Sequence, residues 1–273
     1  MSPIYRVLLQ AYEWGSSLMW AAAILSVPFW LCLVLALATG VVCGWFNGFL
    51  VTWLGLPSLV VTLGTLALYR GLASVVLGEQ SVSSFPTSFT NFGFNTVPGT
   101  LIPWPFVVFA ILFVIFVIVL HFSRYGREIY AIGNNKEAAR YSAIQVARIK
   151  LALFVVSGLL SALAGIIFTA RFSNSRADSA TGFELDVIAA VLLGGVNIFG
   201  GSGSLVGVVL SLFIIASLRD SLSLIDVADE IQSIVVGSLL ILSVLGPNLV
   251  RRVRPAARWS WGGRPVVPIE PGD

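Results

Sequence analysis

The chain has 273 residues, 57% of them hydrophobic and 11% charged, with a formal net charge of +3. A soluble domain carries about 25% charged residues, so composition excludes a soluble fold and points to an integral membrane protein. Most of the basic residues fall in two regions, around Arg124–Lys150 and Arg251–Arg264, which speaks for membrane sidedness and against nucleic-acid binding.

Only helices and closed barrels satisfy the backbone in lipid, and the apolar runs here lack two-residue alternation, so an all-α polytopic helical bundle is predicted. About seven membrane segments are expected, given roughly 20 residues for each crossing. The first is 17–45, with Pro28 as a kink or break; no charge occurs between Glu13 and Arg70. Within it Cys32 and Cys43 have neither disulfide nor zinc spacing and read as packing residues. Nothing in the N-terminal MSPIYRVLLQAYEWGSS resembles a cleavable signal. Further spans are predicted at 57–78, 101–122 and 151–170, as a short pair at 187–199 and 203–218, and at 231–249. Placing the basic C-terminal tail, 250–273, in the cytoplasm puts 79–100, 171–186 and 219–230 outside and 123–150 inside. The outer loops and their borders carry Glu79, Asp178, Glu184, Asp186, Asp220, Asp226, Asp229 and Glu230 against Arg171, Arg176 and Arg219. The positive-inside bias therefore agrees with this topology.

Between the third and fourth spans lies a polar island, YGREIYAIGNNKEAARYSAIQVARIK, residues 125–150. Asn134 with Glu137 three positions on reads as a capping-box variant starting a helix over KEAARYSAIQV. Ala138, Ala139, Ser142 and Val146 then recur on one small face, suited either to a groove on another protein or to the headgroup layer. The short pair is interrupted by GGVNIFGGSGS, with Gly194, Gly195, Gly200, Gly201 and Gly203. Non-helical backbone at membrane depth needs protein or a water-filled cavity around it. Close helix packing through glycine and lining of a pathway are both compatible with the pattern.

Catalytic signatures are missing. No GxxxxGK[ST] loop occurs, and the only lysines, Lys136 and Lys150, follow no glycine run, so ATP chemistry has to come from another chain. His121 is placed at the end of a span, where an interfacial role outweighs general-base work. No metal-ligand cluster is seen and no cofactor is expected. A self-powered carrier needs ionisable groups deep in the membrane, and Arg70, which can snorkel to the interface, is the one candidate.

The polar island, FELDVIAAVLLGG with the glycine-rich break after it, the final LLILSVLGPN, LPSLVVTLGTLALYRGLA at 56–73 and GWFNGFLV at 44–51 together resemble the permease subunits of bacterial ABC importers for monosaccharides, the ribose-type family. The resemblance runs from about residue 40 to 250, and FGG at 199–201 with QSIVVGSLLILSVLGPN at 232–248 is closest to the rhamnose and autoinducer-2 branch. It implies a single transmembrane permease domain over 1–273 in the bacterial plasma (inner) membrane. Its implied partners are an ATPase subunit that binds ATP, a second permease copy (identical or similar), a periplasmic or lipid-anchored sugar-binding protein, and membrane lipid. Gly133, Asn134, Glu137, Ala138, Ala139 and Ser142 match the family's cytoplasmic coupling loop, 123–150 here, with Ala143 where members commonly carry glycine. Family members are longer at the front, with a D-L-S-V-G-like motif where EWGSSLMWAAAILS stands here. A naturally short permease, a displaced start, and a nonfunctional short copy are the corresponding expectations.

A neutral sugar needs hydroxyl-compatible surfaces that do not hold it tightly. Asn47, Thr62, Thr65 and Asn197, with Gly194, Gly195, Gly200 and Gly201, are the candidate lining residues. For the threonines, bonding to their own helix backbone is the competing expectation; a buried amide needs a partner more urgently.

Overall fold

The computed structural model describes residues 29–253, apart from 78–80, 82, 84, 177–179 and 198–199. The described residues form helices α1 (Phe29–Thr52), α2 (Ser58–Leu77), α3 (Thr87–Phe94), α4 (Trp104–Phe122), α5 (Arg124–Asn134), α6 (Lys136–Tyr141), α7 (Val146–Phe172), α8 (Phe183–Leu193), α9 (Leu205–Leu224) and α10 (Asp229–Val253). Five of them, α1, α2, α4, α7 and α9, are long and apolar enough to cross a membrane. With α8 and the apolar stretch Glu230–Ser243 of α10, they account for the segments predicted from sequence. The fold is an all-helical membrane bundle.

Several boundaries differ from the sequence expectation. The predicted stretch 17–28, including Pro28, lies outside the described residues, and α1 runs on to Thr52 instead of stopping at 45. Helix α7 starts at Val146 rather than 151, because Arg148 and Lys150 belong to its first turns and long basic side chains can reach the headgroup layer from there. Pro103 precedes α4 and Pro105 sits in its first turn, a position where the missing N–H costs nothing. Helix α3 was hidden in the turn-rich loop 79–100. Its Phe89 and Gly93 are buried, so tertiary packing holds a segment whose Ser, Thr and Asn content favours turns.

The closest helix pair is α1 with α7, which run antiparallel. Gly40, Gly44 and Gly48 recur every four residues along α1 and put its backbone against that of α7. A Cβ on Gly44 would lie 3.1 Å from Val155 Cα, and one on Gly48 2.8 Å from Leu151 Cδ1 and 3.0 Å from Phe154 Cβ. From the other side, a Cβ on Gly158 would lie 3.0 Å from Gly44 Cα. Lipid tails are as apolar as leucine, so this close van der Waals contact, and not hydrophobic transfer, joins the two helices. At the other end of the pair, Cys32, Ala36, Phe89, Ile166 and Ala170 form a buried cluster, and the Arg171 guanidinium lies 4.9 Å from the Phe94 ring centre. Both cysteines are buried and free, and the Cys43 and Tyr69 side chains hydrogen bond between α1 and α2.

Helices α8, α9 and α10 build a second group around Ala189, Ala190, Ile215 and Val236. Here too small residues set the spacing: the backbone of Gly194 meets Gly207 and Val208, and the Ser211 hydroxyl donates to the Ala190 carbonyl. Arg219 Nη2 and Asp186 Oδ1, 2.6 Å apart, close the opposite end of this hairpin. Helix α4 differs from all of these in having no buried residue; its Trp104 ring stacks on Phe92 of α3.

Candidate functional site

The polar island is a chain of three tight junctions. Between α4 and α5, Ser123 donates to Val119 O (2.6 Å) and accepts from Gly126 N (3.3 Å). Gly126 is wedged so closely under Leu120 that a Cβ there would lie 2.8 Å from Leu120 Cα. Between α5 and α6, Asn135 is the cap: its Oδ1 accepts from Glu137 N (3.0 Å) and Ala138 N (3.1 Å). The cap expected at Asn134 is therefore displaced by one residue, and no capping box forms, because the third helical position is Ala138 and Asn135 N donates to Ala131 O. Asn134 ends α5, and Glu137 approaches Arg140 at 3.9 Å on the exposed side of α6.

Helix α6 has six residues and not the eleven predicted. Its end is a Schellman turn, in which Ala143 N donates to Arg140 O and Ile144 N to Ala139 O, both at 3.1 Å. This turn needs a left-handed residue at its second position, and Ala143 supplies it with φ +59°. The small face expected for one continuous helix is consequently divided. Ala139 and Val146 are buried, while Glu137, Ala138 and Ser142 are exposed beside Tyr141, at 90% exposure.

The glycine break starts where α8 stops. Eleven helical residues span about 16 Å, roughly half of a bilayer core of about 30 Å, so α8 alone is too short to cross it. The stop is again a Schellman turn: Gly195 N donates to Leu192 O (3.1 Å) and Val196 N to Val191 O (3.2 Å), with Gly195 at φ +81°. Asn197 N then donates to Ser202 O and its carbonyl accepts from Gly200 N, each at 3.0 Å. Gly200 and Gly201 have φ +91° and +82°. Ser204 caps α9 by accepting from Gly207 N.

This turn rests on the island. A Cβ on Gly133 would lie 2.9 Å from Gly201 Cα, and one on Gly201 3.0 Å from Asn134 N. The structure thus joins Gly133 and Asn134, read from the coupling-loop motif, to Gly200 and Gly201, read from the break. It keeps the other candidates apart. Asn47, Thr62 and Thr65 are buried on α1 and α2, and the threonine hydroxyls donate to their own helix, Thr62 to Ser58 O at 2.8 Å and Thr65 to Val61 O at 2.9 Å. Gly194 packs on α9, while Gly195 and Asn197 are exposed. The residues that sequence reasoning missed are Asn135, Gly40 and Gly48. The second asparagine of the Asn134–Asn135 pair and the Gly-x-x-x-Gly-x-x-x-Gly spacing of 40–48 were the available signals.

Over residues 5–244 the chain matches the family model described as the permease component of the branched-chain amino acid transport system. The chain belongs to this permease family. It is 37% identical over 229 residues to the autoinducer 2 import system permease protein LsrD of Yersinia enterocolitica, covering 82% of this chain and 69% of the relative. With the LsrD proteins of Enterobacter sp. strain 638 and Klebsiella pneumoniae the identity is 36%, covering 82% and 81% of this chain and 69% and 68% of those relatives. The chain spans about two thirds of the length of these relatives. No solved structure matches. The resemblance to ribose-type ABC importer permeases, with its leaning towards the autoinducer-2 branch, agrees with these relatives, and the permease is a multi-pass membrane protein.

Proposed function

We propose that this permease forms the membrane pathway of an ATP-binding-cassette importer for a small neutral solute of the ribose, rhamnose or autoinducer-2 class. A separate subunit binds and hydrolyses ATP, a second permease copy completes the pathway, and a binding protein outside delivers the solute. The island and the C-terminal tail face the cytoplasm. The observation that carries this reading is the contact of Gly133 and Asn134 with Gly201, because it gives the exposed face of α6 a mechanical route to the unwound backbone between α8 and α9.

In this mechanism the ATPase subunit grips Glu137, Ala138 and Ser142. Its closure displaces α6, and two links carry the displacement inward. One runs through Asn135 and Asn134 to the Gly200–Gly201 turn; the other runs through the Ala143 turn into α7. Backbone-to-backbone contacts transmit displacement without the slack of a rotating side chain, which suits a rigid network with discrete arrangements. Movement of the break then changes access to Asn197, Gly194 and Gly195, which border the pathway; Asn47, Thr62 and Thr65 are buried on α1 and α2, apart from it. A neutral amide at the break matches a solute that must enter and also leave.

The test is purification of the tagged permease from its native membrane in gentle detergent, with mass spectrometry of what accompanies it. Recovery of an ATP-binding-cassette subunit that is lost on Glu137→Arg supports the coupling face. A stable permease that retains the ATPase after that substitution removes it.

A further inference from the structure

We propose that the elbow between α4 and α5 is a binding site for the headgroup of an anionic phospholipid, with Arg124 and Arg127 as the phosphate-recognising fork. This inference rests on the membrane-spanning fold and not on the coupling role of α6. Its first support is α4 itself. None of its residues is buried, and it is long and apolar enough to cross a membrane, so its end at Phe122 comes to the headgroup layer. At that end Phe122 is 77% exposed, and the Ser123 junction, locked by Gly126 under Leu120, turns the chain directly into α5. Tyr125, at 65% exposure, follows. Amphipathic aromatic rings of this kind prefer the headgroup depth.

The second support is the preparation of Arg124. Its Nε donates to Glu128 Oε1 at 2.7 Å; the arginine side chain is 82% exposed and the glutamate 16%. A tucked carboxylate therefore fixes one edge of a guanidinium that is otherwise open to its surroundings. The planar fork has donors left over, and its geometry matches phosphate oxygens. Arg127, three residues on and also exposed, is a neighbour on the helix surface. The pair adds a second cation next to the first, and His121, whose Nδ1 lies 3.2 Å from Val117 O, stands on the preceding turn. Elsewhere in the island Arg140 approaches the exposed Glu137 on α6.

The experiment reconstitutes the purified permease into phosphatidylcholine bilayers doped with phosphatidylglycerol and quantifies retained phosphatidylglycerol by native mass spectrometry. Arg124→Gln with Arg127→Gln should lower the enrichment roughly tenfold, since each basic group near an anionic surface contributes severalfold. Lys136→Gln with Arg140→Gln, equal in charge removed, should leave it within about twofold. Arg124→Lys with Arg127→Lys keeps the charge and removes the fork, and should fall between the two; it also decides the matter if the glutamine variant does not fold. Unchanged enrichment in the elbow variants overturns the site, as does an equal loss in the Lys136 and Arg140 control. Loss of a co-purifying protein with phosphatidylglycerol unchanged assigns the surface to a protein partner and overturns the proposal as well.

Discussion

Helices α6 and α8 end in the same hydrogen-bonded turn, yet one is built on Ala143 and the other on Gly195. For an L-residue with a Cβ, the left-handed conformation costs about 1–2 kcal/mol, which glycine does not incur. The end of α9 supplies an intermediate: Asp226 N donates to Ser223 O and Val227 N to Leu222 O, with Asp226 at φ +55°, and aspartate tolerates this region better than alanine. The strained member of the three stands at the link between the exposed α6 and the long α7. The relaxed one stands in the break. The difference teaches that hydrogen bonding can impose a turn on an unsuitable residue, and that the resulting strain sits on the segment proposed to move.

The two regions meet at Gly133 and Gly201, and substitution there should have the largest effect. Gly133→Val forces the island away from the break and should reduce uptake to background, with ATP hydrolysis by the assembled importer no longer stimulated by solute; normal stimulated hydrolysis would separate the two regions functionally. Gly195→Ala comes next. No atom stands within 4 Å of its Cβ position, so the cost is conformational, the left-handed strain of a Cβ less the unfolded-chain freedom that alanine removes, a net of about 1 kcal/mol, read as a lowered thermal midpoint in detergent. An unchanged midpoint would mean that the turn does not constrain the fold. Asn135→Ala removes an N-cap and should cost about 1 kcal/mol, visible as faster proteolysis of the island. Ala143→Gly should raise the midpoint by the equivalent of about 0.5–1 kcal/mol, the relief of strain less the added freedom of the unfolded chain. A fall instead would show that Ala143 is not strained. Asp226→Gly should change stability by only a few tenths of a kcal/mol, completing the order across the three turns.

The membrane segments were legible in the sequence because continuous apolar runs have one structural solution in lipid. Their ends were less so. Polar residues within a terminal turn, such as Arg148 and Lys150, look like loop, and glycines at 44 and 48 look like a stop until the partner helix that requires them is known. The island's helical start was legible to within one residue, since either Asn134 or Asn135 has cap chemistry and only backbone direction chooses between them. The contact of Gly133 with Gly201 was not legible at all. Both glycines stood out in their own motifs, but their meeting depends on α8 stopping at Leu193 and on the return path of the break. Helix α3 was missed because its stability comes from Phe89 and Gly93 against α7 and not from its own composition.

The glycine seam between α1 and α7 has a geometric consequence. Two helices in backbone contact bend less readily than either alone, so they serve as one beam. At 1.5 Å per residue, the 27 residues of α7 extend about 40 Å, and a tilt of about 5° applied at Val146 would shift Phe172 by roughly 3.5 Å. Gly93 sits on Ala170 and Arg171 at that far tip, so α3 would ride on the beam, and a small push at one membrane surface would be delivered to the other as leverage.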